Sequence, residues 1–189
     1  MSRYTGRLAA VAMMVALWNP AALAGTYTFD RERTTITYTV HTLFSRIHGR
    51  FRDFEGTFTY QPEAMSASSV RLMIDAGSAD RKLPRRVFDT VRYPVIRFES
   101  TGGVDDIAGA QATLPGRLAM HGFEHPVVMA LTIQPPWQDA QGRWHPRFSG
   151  TASVDRRAYH LIWRRTFSFL ELFLTDQIDI TFDVEGNPA

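Results

Sequence analysis

Six histidines, none in the first 24 residues, are the natural place to look for chemistry: His41, His48, His121, His125, His145 and His160. His121 and His125 have the four-residue spacing of a metal pair on a helix, where one turn brings such positions together. The stretch around them reads instead as a short connection between two strands, ending at Pro126, so the spacing alone brings nothing together. His41 and His48 meet only across a hairpin. The chain has no cysteine, which excludes zinc–thiolate sites, thiol catalysis and disulfides. Ser45, Ser78, Ser100 and Ser168 are available hydroxyls, yet none sits in a G-x-S-x-G elbow. A Ser/His/Asp triad is a matter of geometry and stays open at this level. Asp53 with Glu55, and Asp179 with Asp183, pair carboxylates on one side of a strand, but that side is the polar one. Gly102-Gly103 lacks the lysine and helix of a phosphate loop. These patterns assign no catalytic residue and no metal ligand.

The elements that would position such groups are strands. Ile36, Tyr38 and Val40 alternate with Thr35, Thr37 and Thr39, the period of a half-buried strand. A second strand carries Phe54, Gly56, Phe58 and Tyr60 on one face. Phe51 has the wrong parity for that set, and a bulge near Arg52–Asp53 restores it while bending the strand. The two join through Phe44–Gly49. Further inward sets are Val70, Leu72, Ile74 and Ala76; Ile96, Phe98 and Ser100; Leu114, Gly116, Leu118 and Met120; Val127, Met129, Leu131 and Ile133; Phe148, Gly150, Ala152 and Val154. The last is Ile178, Ile180, Phe182 and Val184, set against Asp179, Thr181, Asp183 and Glu185. Pro62–Ala67 is expected to make one helical turn, residues 78–93 an irregular or partly helical crossover, and Pro135–Gly142 a loop. Residues 156–174 are dense in aromatics and arginine, with no single period.

Strands apolar on one face only rule against a parallel α/β sheet, whose strands are apolar on both. Without an internal repeat, a propeller or solenoid is also excluded. The reading is all-β: an antiparallel, lipocalin-like β-barrel of about eight strands with a short helical or irregular crossover. Small residues interrupt the inward face at Gly56, Ala76, Ser100, Gly116, Gly150 and Ala152. Two readings fit. The gaps leave room for one small ligand, or they mark bends and the taper of a filled barrel.

The ends of the chain add a compartment. Arg3 and Arg7 precede an uncharged run from Leu8 to Trp18, and Ala22-Leu23-Ala24 supplies small residues at a cleavage site before Gly25. That is the anatomy of a secretory signal peptide over residues 1–24, with the barrel domain in 25–189. The apolar run is shorter than the roughly 20 residues that span a bilayer. Of 21 basic and 19 acidic residues, the leader holds two arginines and no acid, so the remainder is balanced at 19 against 19. No nucleic-acid partner is implied by that balance, and no stable membrane insertion. A periplasmic location is expected.

The motifs in order resemble a known family. Tyr27-Thr28-Phe29-Asp30 is similar to its Y-x-(I/L)-D opening. Val40-His41-Thr42-Leu43-Phe44-Ser45-Arg46-Ile47-His48-Gly49-Arg50-Phe51 is similar to V-x-H-x-x-x-S-x-V-x-G-x-F. Phe54-Glu55-Gly56 and the stretch Val70 to Ser78 also match. Phe88-Asp89-Thr90-Val91-Arg92-Tyr93-Pro94 with Phe98-Glu99-Ser100-Thr101 resembles F-D-V-x-x-Y-P…F-x-S-T, the most specific element. Gly116 to Gly122 is similar to G-x-L-T-(I/L)-x-G, and Val154-Asp155-Arg156 sits where an (I/N)-R element falls. Together they resemble the YceI-like periplasmic proteins over nearly all of the chain after the leader. The departure lies between Ser78 and Tyr93, where the family's longer R-D-x-H-L helix is replaced by RKLPRRVF. The shape of the cavity mouth and the headgroup contacts therefore do not follow from the resemblance, and nothing carries over at Leu161–Leu174, which is not a close match.

The resemblance implies a lipocalin-like barrel holding a long isoprenoid chain, with homodimers among its members. The expected function is a non-enzymatic carrier for a polyisoprenoid or isoprenoid quinone. Expected wall residues are Ile36, Tyr38, Leu72, Phe98, Leu118, Met129, Phe148 and Ile180. Phe88 and Trp163 are expected at the entrance, with Arg85 and Arg86 near a polar headgroup. No cofactor is expected beyond such a bound polyisoprenoid or quinone. The alternatives are an enzyme acting on a quinone or lipid precursor, and a filled barrel serving as a stress-related interaction module.

Overall fold

A computed structural model describes residues 23–44, 46–80, 88–161 and 174–189. Eleven strands follow one another: β1 (Gly25–Phe29), β2 (Thr35–Thr42), β3 (Arg46–Phe51), β4 (Phe54–Tyr60), β5 (Ser69–Asp75), β6 (Val95–Ser100), β7 (Asp105–Ala108), β8 (Gln111–Met120), β9 (Phe123–Gln138), β10 (Trp144–Asp155) and β11 (Leu174–Pro188). A single 3₁₀ turn, Met65–Ala67, falls within the expected Pro62–Ala67 stretch, and another spans Ala76–Ser78.

These strands close into an antiparallel barrel of eight positions. β1 and β2 are one interrupted strand, because both pair with β11 on one side and with β4 and β3 on the other. β3 and β4 are likewise one bent strand. The order continues β5, β6, β8, β9, β10 and β11, and β11 closes the ring on β1. The two interruptions face each other. In the first, the Asp30 carboxylate accepts the backbone N–H of Glu32 and of Arg33 at 2.8 and 3.0 Å. In the second, the ladder skips Arg52–Asp53, so Phe51 and Phe54 both turn inward and are buried. This is the bend required by the parity of Phe51. β7 adds a short, fully exposed edge to β8. Short, acidic edges resist pairing with other chains.

Two expectations about this framework are corrected. The stretch from Pro135 to Gln138 is not loop but the end of β9, and only Asp139–Arg143 turns. Pro135 and Pro136 sit where the register against β10 shifts between His145 and Arg147, at a site with no ladder bond for a proline to spoil. Glu185 is not on a solvated face: it is 6% exposed, with Arg33 at 2.7 Å and Arg147 at 3.7 Å. The connection around His121–His125 is also tighter than expected. Only His121 and Gly122 turn, at φ of 53° and 81°, as a two-residue hairpin of the primed type requires.

The core is the inner face of the ring. Most of it forms one apolar cluster, and Leu23, Tyr27, Phe58, Tyr60 and Val184 form a second at one end. That end also carries the Met65–Ala67 turn, with Val104 N–H bonded to the Met65 carbonyl at 3.0 Å. The opposite end holds Phe88, the His121–Gly122 turn and the turn after β10. There the buried Arg156 guanidinium bonds the Thr175 and Leu161 carbonyls at 3.0 and 3.4 Å. Among the described residues no helix is long and apolar enough to cross a membrane.

Candidate functional site

Alternation aims one residue in two of every ring strand at a common centre, and that centre is not filled. It holds an apolar cavity of about 120 Å³, whose lining reaches from Tyr60 and Ser68 at the Leu23 end to Phe88 and Met120 at the other. Burial shows the same thing. Leu72, Met129, Phe148, Ile180 and Phe182 point inward by register and line this space, yet remain only half-buried. The surface they retain belongs to the lumen.

The eight expected wall residues, Ile36, Tyr38, Leu72, Phe98, Leu118, Met129, Phe148 and Ile180, all line the lumen. Phe88 also lines it, buried, with its ring edge-on to Phe51 at 6.1 Å. Arg85, Arg86 and Trp163 lie outside the described residues. Phe51, Phe58, Tyr60, Leu131, Val154 and Phe182 also line the lumen but are not among the expected wall residues, although alternation sets Leu131, Val154 and Phe182 inward. Strand parity alone would have found most of them, since Phe182 follows Ile180 by two.

Cross-strand aromatic rings lie over several inward glycines, of which Gly116 and Gly150 are among the small residues expected on that face. The Tyr38 ring covers Gly49, Phe98 covers Gly116, and Phe182 covers Gly150, each where a Cβ would stand. Glycine here lets large rings lie flat against the wall. The lumen is what remains between those rings.

Among the described residues, the polar content of the lumen is confined to a few hydroxyls, and no lysine, arginine, histidine or carboxylate lines it. Tyr38 donates to Asp80 Oδ1 at 3.3 Å, and burial together with the Asp80 charge pushes its hydroxyl well above the ordinary tyrosine range. At the Leu23 end, Tyr27 donates to the Leu23 carbonyl at 2.9 Å. Burial also raises Tyr60, whose ring stands edge-on to Phe148 at 5.1 Å. Ser68 Oγ accepts the Gln61 N–H at 3.0 Å.

The histidines are held apart from this space. His41 bonds Asp179 at 2.7 Å and His48 bonds Thr39 at 3.0 Å, both beside an outer groove. His121 and His125 donate to the carbonyls of Tyr159 and Ala158. His145 stacks on Trp137 at 4.4 Å, and His160 on Phe123 at 4.3 Å. Among the described residues, no group of three His, Cys, Asp or Glu could hold a metal ion.

A closed eight-position antiparallel barrel around an apolar lumen defines the class. The YceI-like domain model matches residues 27–186, and the chain belongs to that family. A UPF0312 protein of Vibrio cholerae is 30% identical over 177 residues, covering 88% of this chain and 89% of the relative. A UPF0312 protein of Pseudomonas savastanoi is 29% identical over 160 residues, covering 78% and 83%. Solved structures share the fold at lower identity. Burkholderia cenocepacia BcnA is similar at a TM-score of 0.71 and 17% identity, covering 84% of this chain and 99% of that one. A domain from Saccharophagus degradans, described as polyisoprenoid-binding and implicated in plant cell wall breakdown, is similar at 0.62 and 15%, covering 86% and 98%.

Proposed function

We propose that this protein is an exported, non-enzymatic carrier or store for a long apolar chain of the polyisoprenoid type. One observation carries the reading: the lumen runs between the two ends of the barrel and, among the described residues, is lined by no charged side chain. A branched hydrocarbon needs nothing more. Each methylene taken from water contributes about 0.8 kcal/mol, so about ten of them supply the roughly 8 kcal/mol of a micromolar complex before ordering costs. The Saccharophagus degradans domain, described as polyisoprenoid-binding, supports the choice of chain. An enzyme acting on a quinone or lipid precursor would need a titrating group at the substrate, and among the described residues the lumen wall offers only hydroxyls.

Native mass spectrometry and organic extraction of protein purified from its own cells test the proposal. A co-purified isoprenoid, and uptake of added polyprenol by the stripped protein, are expected. Empty protein that takes up neither polyprenol nor quinone would overturn it. Export is proposed from the leader, and N-terminal sequencing is expected to start at Gly25; an intact Met1 would refute it.

A further inference from the structure

Exposed apolar side chains are not spread evenly over the barrel. The Phe88 end carries the β2–β3 hairpin, the start of β6, the β8–β9 turn and the turn after β10. Leu43 and Phe44, at the hairpin tip, are 67% and 82% exposed, and Val91, on the crossover ahead of β6, is 95% exposed. Val95 and Phe123, the first residues of β6 and β9, add smaller exposed surfaces. Of the large apolar side chains exposed among the described residues, only Met73, Ile107 and Val128 lie elsewhere. Single exposed apolar residues are ordinary, whereas several gathered on one end mark a contact surface.

The same end is rich in cations and in rings with a polar edge. Arg46 follows the hairpin tip and Arg92 follows Val91, both exposed. The Arg92 guanidinium lies over the Tyr93 ring at 5.4 Å. Tyr93 meets His121 at 4.8 Å and Phe123 stacks on His160 at 4.3 Å, so half-polar ring pairs link the turns. Counted from the sequence, the β5–β6 and β10–β11 connections hold nine arginines and lysines against three carboxylates. We propose that the Phe88 end docks on an anionic lipid surface. Leu43, Phe44 and Val91 enter the boundary between headgroups and acyl chains, and Arg46 and Arg92 meet the phosphates. Charge argues against a second copy as the occupant, since two-fold pairing would set one cationic face against another. The docking is peripheral, goes beyond the carrier reading and does not need the lumen to be occupied.

Vesicle flotation of the purified protein tests it, with phosphatidylcholine alone and with phosphatidylcholine mixed with phosphatidylglycerol. Binding is expected on the mixed vesicles and is expected to weaken as salt is raised. Leu43→Ser/Phe44→Ser is expected to weaken it about tenfold or more, and Arg92→Gln about fivefold on the mixed vesicles. Val91→Ser repeats the first measurement should the double variant fail to fold. Met73→Ser, on the outer face of β5, is expected to change nothing. No flotation with either vesicle, or an equal loss from Met73→Ser, would overturn the proposal. So would a dimer by light scattering that Leu43→Ser/Phe44→Ser splits, because a second copy would then own this face. Polyprenol uptake by a protein that does not float would overturn the docking and leave the carrier reading intact, and flotation without uptake would do the reverse.

Discussion

The wall of the lumen is built at the residue scale from pairs of one large ring and one glycine. Tyr38 lies opposite Gly49 on the neighbouring strand, and a Cβ at Gly49 would stand on the tyrosine ring itself. Gly49→Ala is therefore expected to destabilise the protein by about 1–3 kcal/mol, the usual cost of overpacking, read as a lowered urea midpoint. Tyr38→Phe keeps the ring and loses only the bond to Asp80, so its cost is expected near 1 kcal/mol. The sequence showed that small residues interrupt the inward face. It could not show what covers them, since the covering ring comes from another strand.

At the scale of elements, alternation was readable wherever one strand face met the core. That period is local, so it gave every expected wall residue and even the bend at Arg52–Asp53. What it missed has distant causes. Glu185 keeps an outward parity, but Arg33 reaches it from 152 residues away. Pro135-Pro136 signals a loop locally, and only the shift in pairing with β10 lets a strand pass through it. The β8–β9 turn gives a further expectation. Gly122 holds a φ of 81°, and a Cβ there would lie 2.7 Å from the Tyr93 ring. Gly122→Ala is expected to lower stability by roughly 1 kcal/mol or more, checked by thermal unfolding.

For the whole molecule, an empty centre sets function against stability. Leu72→Trp projects a larger side chain into the lumen rather than into a packed core. The fold is expected to survive, with an unchanged or raised melting temperature, while extractable lipid falls to near background. The tyrosines set an alkaline limit. Burial raises Tyr27, Tyr38 and Tyr60, and pushes Tyr159 up to about 12. A raised folded value adds stability below the unfolded value of about 10, and that stability is lost as pH climbs through the folded value. Unfolding is thus expected to become easier between about pH 10 and 12, with tyrosinate absorbance rising cooperatively rather than residue by residue.

Leu23 is the last described residue before the barrel strands that is fully enclosed, at 1% exposure. A cut after Ala24 would take it away, and with it the carbonyl that occupies Tyr27. Precursor and processed chain would then differ in what packs against Tyr27. A chain beginning at Gly25, if it carries the proposed cargo, is expected to load a prenylated quinone faster than the uncut form.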